Sequence, residues 1–120
     1  MAREIQGSNG GNYAPMIGLR TKGNFVKGKV LSLGQTNNSN PVVTLELIDL
    51  DGTSMVSTGK GIYEDVEVNV GDPVQVIGSV KQLKEKLPQL AVGDVATIAF
   101  EGKTKLPGGK TLNNFKVTVD

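Results

Sequence analysis

The chain has no cysteine, no histidine and no tryptophan among its 120 residues. Without cysteine there are no disulfides and no thiolate metal sites, and thiol usage gives no reading of a redox compartment. The missing histidine also removes the common zinc sites, the Ser–His and Cys–His pairs, and the side chain best suited to proton transfer near neutral pH. Carboxylate chemistry survives this argument, but no nucleophile, base and metal set converges. The expectation is a non-enzymatic protein that needs no cofactor. No apolar run approaches the roughly 20 residues that cross a bilayer, and the N-terminal MAREIQGSNGGNYAP lacks the apolar stretch of a signal peptide. A cytoplasmic protein with no membrane partner is expected.

Two tyrosines and three phenylalanines are the whole aromatic complement, against 16 glycines. That balance favours short strands and many turns over a large aromatic core. The length suits one domain over residues 14–120. Residues 1–13 read as a flexible arm, because they offer too little apolar surface to offset the entropy of ordering them.

The net charge of +1 hides a segregation. Residues 1–40 hold five basic side chains and one acid, residues 41–75 one and seven, and residues 76–120 seven and four. Folding that joins the two ends while setting the middle aside would create a basic face.

Alternation of apolar and polar residues marks the strands. The first spans 24–33, NFVKGKVLSL, where Gly28 predicts a bulge or bend. A polar loop follows at 34–40. Residues 42–50 then alternate, with Val43, Leu45 and Leu47 on one face and Thr44, Glu46 and Ile48 on the other. Asp51-Gly52 is a hairpin turn signal and predicts a return strand from Thr53. Residues 58–63 read as a Gly-rich loop. Segments 65–70 and 74–77 are two strands or one bent strand broken at Gly71. Val80, Leu83, Leu87 and Leu90 recur at helical spacing, with Ser79 as N-cap and Pro88 ending the helix near Leu87. The triplets Val70-Gly71-Asp72 and Val92-Gly93-Asp94 echo one another and read as pre-strand turns rather than a repeat.

Residues 93–119 read as a β-hairpin. Ala96, Ile98 and Phe100 alternate with Val95, Thr97 and Ala99, and Phe115, Val117 and Val119 alternate with Lys116 and Thr118. Between the arms, Lys103, Lys105 and Lys110 surround Leu106-Pro107-Gly108-Gly109. Phe100 and Phe115 belong to the core on this reading.

Taken together the order predicts an all-β, five-stranded Greek-key, OB-like barrel with one short helix between strands 3 and 4. Such barrels bind oligonucleotides through the loops joining strands 1–2 and 4–5, here 34–40 and 103–110. An SH3-like barrel, or an OB barrel with an extra hairpin over 53–70, also fits.

The pattern G-D-V-x-x-I-x-F-x-G-K-x-K-x-x-x-G-K-x-x-x-N-F-x-V is carried by Gly93, Asp94, Val95, Ile98, Phe100, Gly102, Lys103, Lys105, Gly109, Lys110, Asn114, Phe115 and Val117. It resembles the C-terminal part of small bacteriophage OB-fold proteins of the single-stranded-DNA-binding kind, and VKGKVLSLG at 26–34 looks like their first strand. The resemblance implies largely sequence-independent binding of single-stranded DNA, protecting it in replication or recombination in a host cytoplasm.

Binding of a single strand requires a cationic track and flat side chains for stacking. Lys103, Lys105 and Lys110 form the expected grip, extended by Arg20 and Lys22. Phe25 shares a strand face with Lys27 and Lys29, which makes that face a candidate track. Tyr63, in the Gly-rich loop, and Tyr13, in the arm, are free to stack. Thr58–Gly61 lacks the spacing of a phosphate loop, and Asp49, Asp51, Glu64, Asp65 and Glu67 lack a cation-loop pattern. The expected partner is single-stranded nucleic acid, DNA favoured, with self-association through edge strands as a further contact. A structural or assembly role of the virion type, using barrel edges and the arm, is the alternative.

Overall fold

A computed structural model describes residues 14–59 and 61–120, so the expected arm over 1–13, with Tyr13, lies outside the described residues. Eight strands form one curled sheet, a half-barrel. They are β1 (Met16–Gly18), β2 (Phe25–Gln35), β3 (Pro41–Asp51), β4 (Thr53–Gly59), β5 (Ile62–Asp65), β6 (Pro73–Ile77), β7 (Val95–Lys105) and β8 (Thr111–Val119). Helix α1 (Lys81–Lys86), continued by a 3-10 turn at Leu87–Gln89, separates β6 from β7. The sheet order is β5-β4-β1-β6-β3-β2-β7-β8. Every pairing is antiparallel except β1 with β6.

The expected strand number of five is therefore corrected to eight. Two of the extra strands come from the segment after Asp51-Gly52, and the third is the lead-in β1. The turn signal itself misleads, because β4 does not fold back onto β3. Its partners are β1, through Gly18–Thr53, Ile17–Ser54 and Met16–Met55, and β5. Gly52 marks the reason. A Cβ there would stand 2.8 Å from the Gly18 carbonyl oxygen, so the lead-in chain crosses at this point and takes the pairing that β3 would have offered. The predicted loop at 58–63 is corrected likewise: Thr58 and Gly59 belong to β4, and Ile62 and Tyr63 to β5. Residues 66–70 alternate in sequence but form no strand, and only Pro73–Ile77 is regular.

Alternation sorts the faces as the side-chain period of two requires. Val26 and Val30 of β2, Val43, Leu45 and Leu47 of β3, Val74 and Val76 of β6, and Ala96, Ile98 and Phe100 of β7 are buried together. Leu83 of the helix, Leu87 of the 3-10 turn and Leu90 just after it cover them, and Phe115 joins from β8. Each fully buried Val, Leu or Ile contributes about 1.5–3 kcal/mol. The helix starts without the predicted Ser79 cap. Its N-cap is Val80, with no side-chain hydrogen bond, and packing of the leucines holds it instead. Pro88 sits in the 3-10 turn, where a missing N–H is tolerated.

Gly28 lies at a register shift, as the bend expectation requires. A Cβ at this position would meet the Glu46 carbonyl oxygen at 2.7 Å and Leu45 Cβ at 2.8 Å. Strands β2 and β3 can approach this closely only over a glycine.

The two Val-Gly-Asp triplets fold alike. Asp72 Oδ2 accepts the N–H of Asn69 at 2.9 Å, and Asp94 Oδ2 accepts that of Ala91 at 2.8 Å. Gly71 and Gly93 hold φ of 94° and 96°. The Gly71 N–H donates to Leu47 O while the Leu47 N–H donates to Asp72 O; Gly93, Val30 and Asp94 repeat this exchange. Each turn precedes a strand and latches onto a buried residue of β3 or β2. No helix among the described residues is long and apolar enough to cross a membrane.

Candidate functional site

The β7–β8 hairpin carries exposed basic charge. Its base is fixed firmly. Phe100 and Phe115 face one another across the strands with ring centroids 5.1 Å apart, both buried. Asn114 Nδ2 donates to Thr104 Oγ1 at 2.8 Å, and its Oδ1 accepts from Gln82 Nε2 at 3.2 Å. Lys86 Nζ donates to the carbonyl of Phe115. Beyond this base every residue from 103 to 111 is exposed, and the Leu106 N–H closes the turn on Lys110 O at 2.7 Å. The arms run further than the sequence predicts, so Lys103 and Lys105 stand on β7 itself, opposite Asn113 and Thr111. Two residues apart, they share a face.

Lys22 joins this group. The chain before β2 is tied to β7 by Gly23 N–H to Phe100 O at 2.9 Å and Phe100 N–H to Asn24 O at 2.8 Å. The Lys22 side chain then lies over Gly102, where a Cβ would meet its Cδ at 3.3 Å. Gly102, at φ 101°, follows the bulged Glu101 and leaves room for the lysine stem. Arg20 turns another way. Its Nε lies 3.5 Å from where a Cβ on Gly18 would stand, beside β1 and β4.

Phe25, Lys27 and Lys29 occupy the outer face of β2, with Val26, Gly28 and Val30 inside. Asp51, Asp49 and Glu46 of β3 lie opposite Phe25, Lys27 and Lys29, and Lys27 Nζ is 3.0 Å from Asp120 Oδ2. The basic and acidic thirds of the sequence are thus interleaved on this face, and Phe25 is half-buried. The same pairing scatters the carboxylates. Among the described residues, no group of three or more Asp or Glu is placed to hold a metal ion.

Tyr63 is 53 % exposed on β5, with five strands between it and β7 in the sheet order. It lines a cleft of about 950 Å³ on the outer side of the sheet. Thr44, Gln75 and Ile77 form part of its floor, residues 32–37 one wall, and Met55 to Gly59 with Tyr63 the other. Met16, Leu33 and Val42 add apolar surface, and among the described residues no charged side chain lines it. The sequence reading missed this cleft. The outward positions of alternating strands, Thr44 and Gln75, were its only signal, since the hairpin wall depends on where β4 and β5 pair.

The geometry offers two surfaces of different chemistry, a lysine hairpin suited to phosphate and a cleft whose described residues are neutral, suited to flat or neutral groups. Compared with protein-family models, with characterised proteins and with solved structures, the chain matches none.

Proposed function

We propose that this chain is a non-enzymatic single-stranded nucleic-acid-binding protein, with DNA as the favoured partner, built on an OB-type core. In this reading β2, β3, β6, β7 and β8 are the five core strands and α1 is the helix between the third and fourth. β1 is a lead-in, and β4 with β5 is an insertion between the second and third. The order β6-β3-β2-β7-β8 is compatible with that arrangement. One observation carries the functional proposal: four lysines belong to or rest on the hairpin of the fourth and fifth core strands, Lys103 and Lys105 on β7, Lys110 in the turn and Lys22 over Gly102. The cleft then takes bases, with Tyr63 as the stacking surface, and the lysines take phosphates. Coating of single strands in phage replication or recombination is the cellular role that follows.

Fluorescence anisotropy with labelled oligo-dT and a matched duplex, at low and moderate salt, tests the reading. Single strands should bind more tightly than duplex, and the affinity should fall as salt rises. Absence of binding at micromolar protein in low salt would overturn it. An assembly role is favoured instead by the two unpaired edges of the sheet.

A further inference from the structure

The eight-stranded sheet ends in two edges whose surroundings differ in charge. At β8 the backbone of Phe115 points away from β7, because its N–H donates to Gln82 Oε1 and its carbonyl accepts from Lys86 Nζ. Val117 and Val119 share that orientation by the alternation of an antiparallel strand. Their outward N–H and C=O groups have no partner among the described residues. Val119 is also 50 % exposed. Lys116 stands on this strand, and Lys81, Lys84 and Lys86 on the helix packed beside it. The acids there are Glu85 and Asp120, and Asp120 is already engaged by Lys27.

The opposite edge, β5, is exposed throughout, with Ile62 at 60 %. Glu64 and Asp65 lie on it and Glu67 follows; Lys60 lies outside the described residues. We propose that copies of this chain associate head to tail, the β8 edge of one adding to the β5 edge of the next. Pairing of β8 with β8 would oppose lysines, and pairing of β5 with β5 would oppose carboxylates. Only the unlike edges bring opposite charges together, while backbone hydrogen bonds and the apolar Val119 and Ile62 supply the rest. A heterologous contact of this kind grows into a ring or an open filament rather than stopping at a dimer. The inference stands apart from nucleic-acid binding.

Sedimentation velocity on the full chain without nucleic acid tests it, over protein concentrations from about 1 to about 500 µM at about 0.05 and 0.5 M salt. The mean mass should rise past that of a dimer at low salt and return toward the monomer at high salt. Glu64→Lys with Asp65→Lys makes both edges basic, and Lys84→Glu with Lys116→Glu makes both acidic. Each variant alone should remain monomeric with an unchanged circular dichroism spectrum, and an equimolar mixture should associate again. A wild type that stays monomeric throughout, a dimer that does not grow, or charge variants that keep the wild-type mass would each overturn the proposal.

Discussion

The backbone N–H of Phe115 donates to Oε1 of Gln82 at 2.7 Å, so at this one residue of β8 a helix side chain takes the place of a neighbouring strand. Gln82 also donates through Nε2 to Asn114, and Lys86 completes the bond to the Phe115 carbonyl. The helix thereby holds the base of the lysine hairpin in register. Replacing Gln82 by Ala leaves the Phe115 N–H without this partner and should lower unfolding stability by about 1–3 kcal/mol. Urea unfolding measures it, and Gln82→Glu, which keeps the acceptor, should lose less.

Gly28 and Gly34 stand on the same strand in unlike surroundings. A methyl group on Gly28 meets the backbone and Cβ of β3, whereas nothing lies within 4 Å of one on Gly34. Gly28→Ala should therefore destabilise by about 1–3 kcal/mol, as overpacking does. Gly34→Ala should stay within about 0.5 kcal/mol of the wild type. Thermal unfolding of the two variants side by side checks this.

The shared geometry of Asp72 and Asp94 predicts matched losses. Either one changed to Ala removes a turn hydrogen bond of similar length and the same role, so each should cost about 0.5–1.5 kcal/mol. The two sites lie on different strand connections, and the double variant should lose close to the combined amount. Denaturant midpoints of the three variants test both statements.

Binding of single strands should depend unequally on the two sets of lysines. Lys103, Lys105 and Lys110 changed together to Glu should weaken oligo-dT binding and reduce the salt slope by about 2, at roughly 0.7 per phosphate contact. Lys27 and Lys29, already opposed by Asp49, Glu46 and Asp120, should matter less when changed. Anisotropy titrations over a salt series separate the two, and equal effects would mean that the face of β2 is also a grip.

Tyr63→Ala should weaken oligo-dT binding by about 1–3 kcal/mol with little change in the salt slope, since stacking releases no counterions. Unchanged affinity in the folded variant would remove the cleft from the binding surface.

The strand faces were legible because they depend on near neighbours. Val43, Leu45 and Leu47 announce a buried face by their spacing alone, and Leu83 and Leu87 announce a helix. Phe100 and Phe115 read as core residues for the same reason. The lysine hairpin was equally visible, though its arms run several residues further than turn residues imply. Less could be read after Asp51-Gly52, because a turn signal reports a reversal of direction without naming the strand that receives the chain.

The chain's own sequence determined which side of each long strand is apolar, where the helix lies, and that no cysteine or histidine chemistry is present. Each is a property of composition or of side chains two to four residues apart. Tertiary structure alone decided that Met16–Gly18 enters the sheet between β4 and β6. It decided too that Lys27 and Lys29 face carboxylates of β3, while Lys22 reaches the hairpin over Gly102. Those outcomes turn on which distant backbone groups pair, in which register, and on the space left by single glycines at the crossings. Local periodicity is the same for every partner a strand can choose, and so it carries no record of that choice.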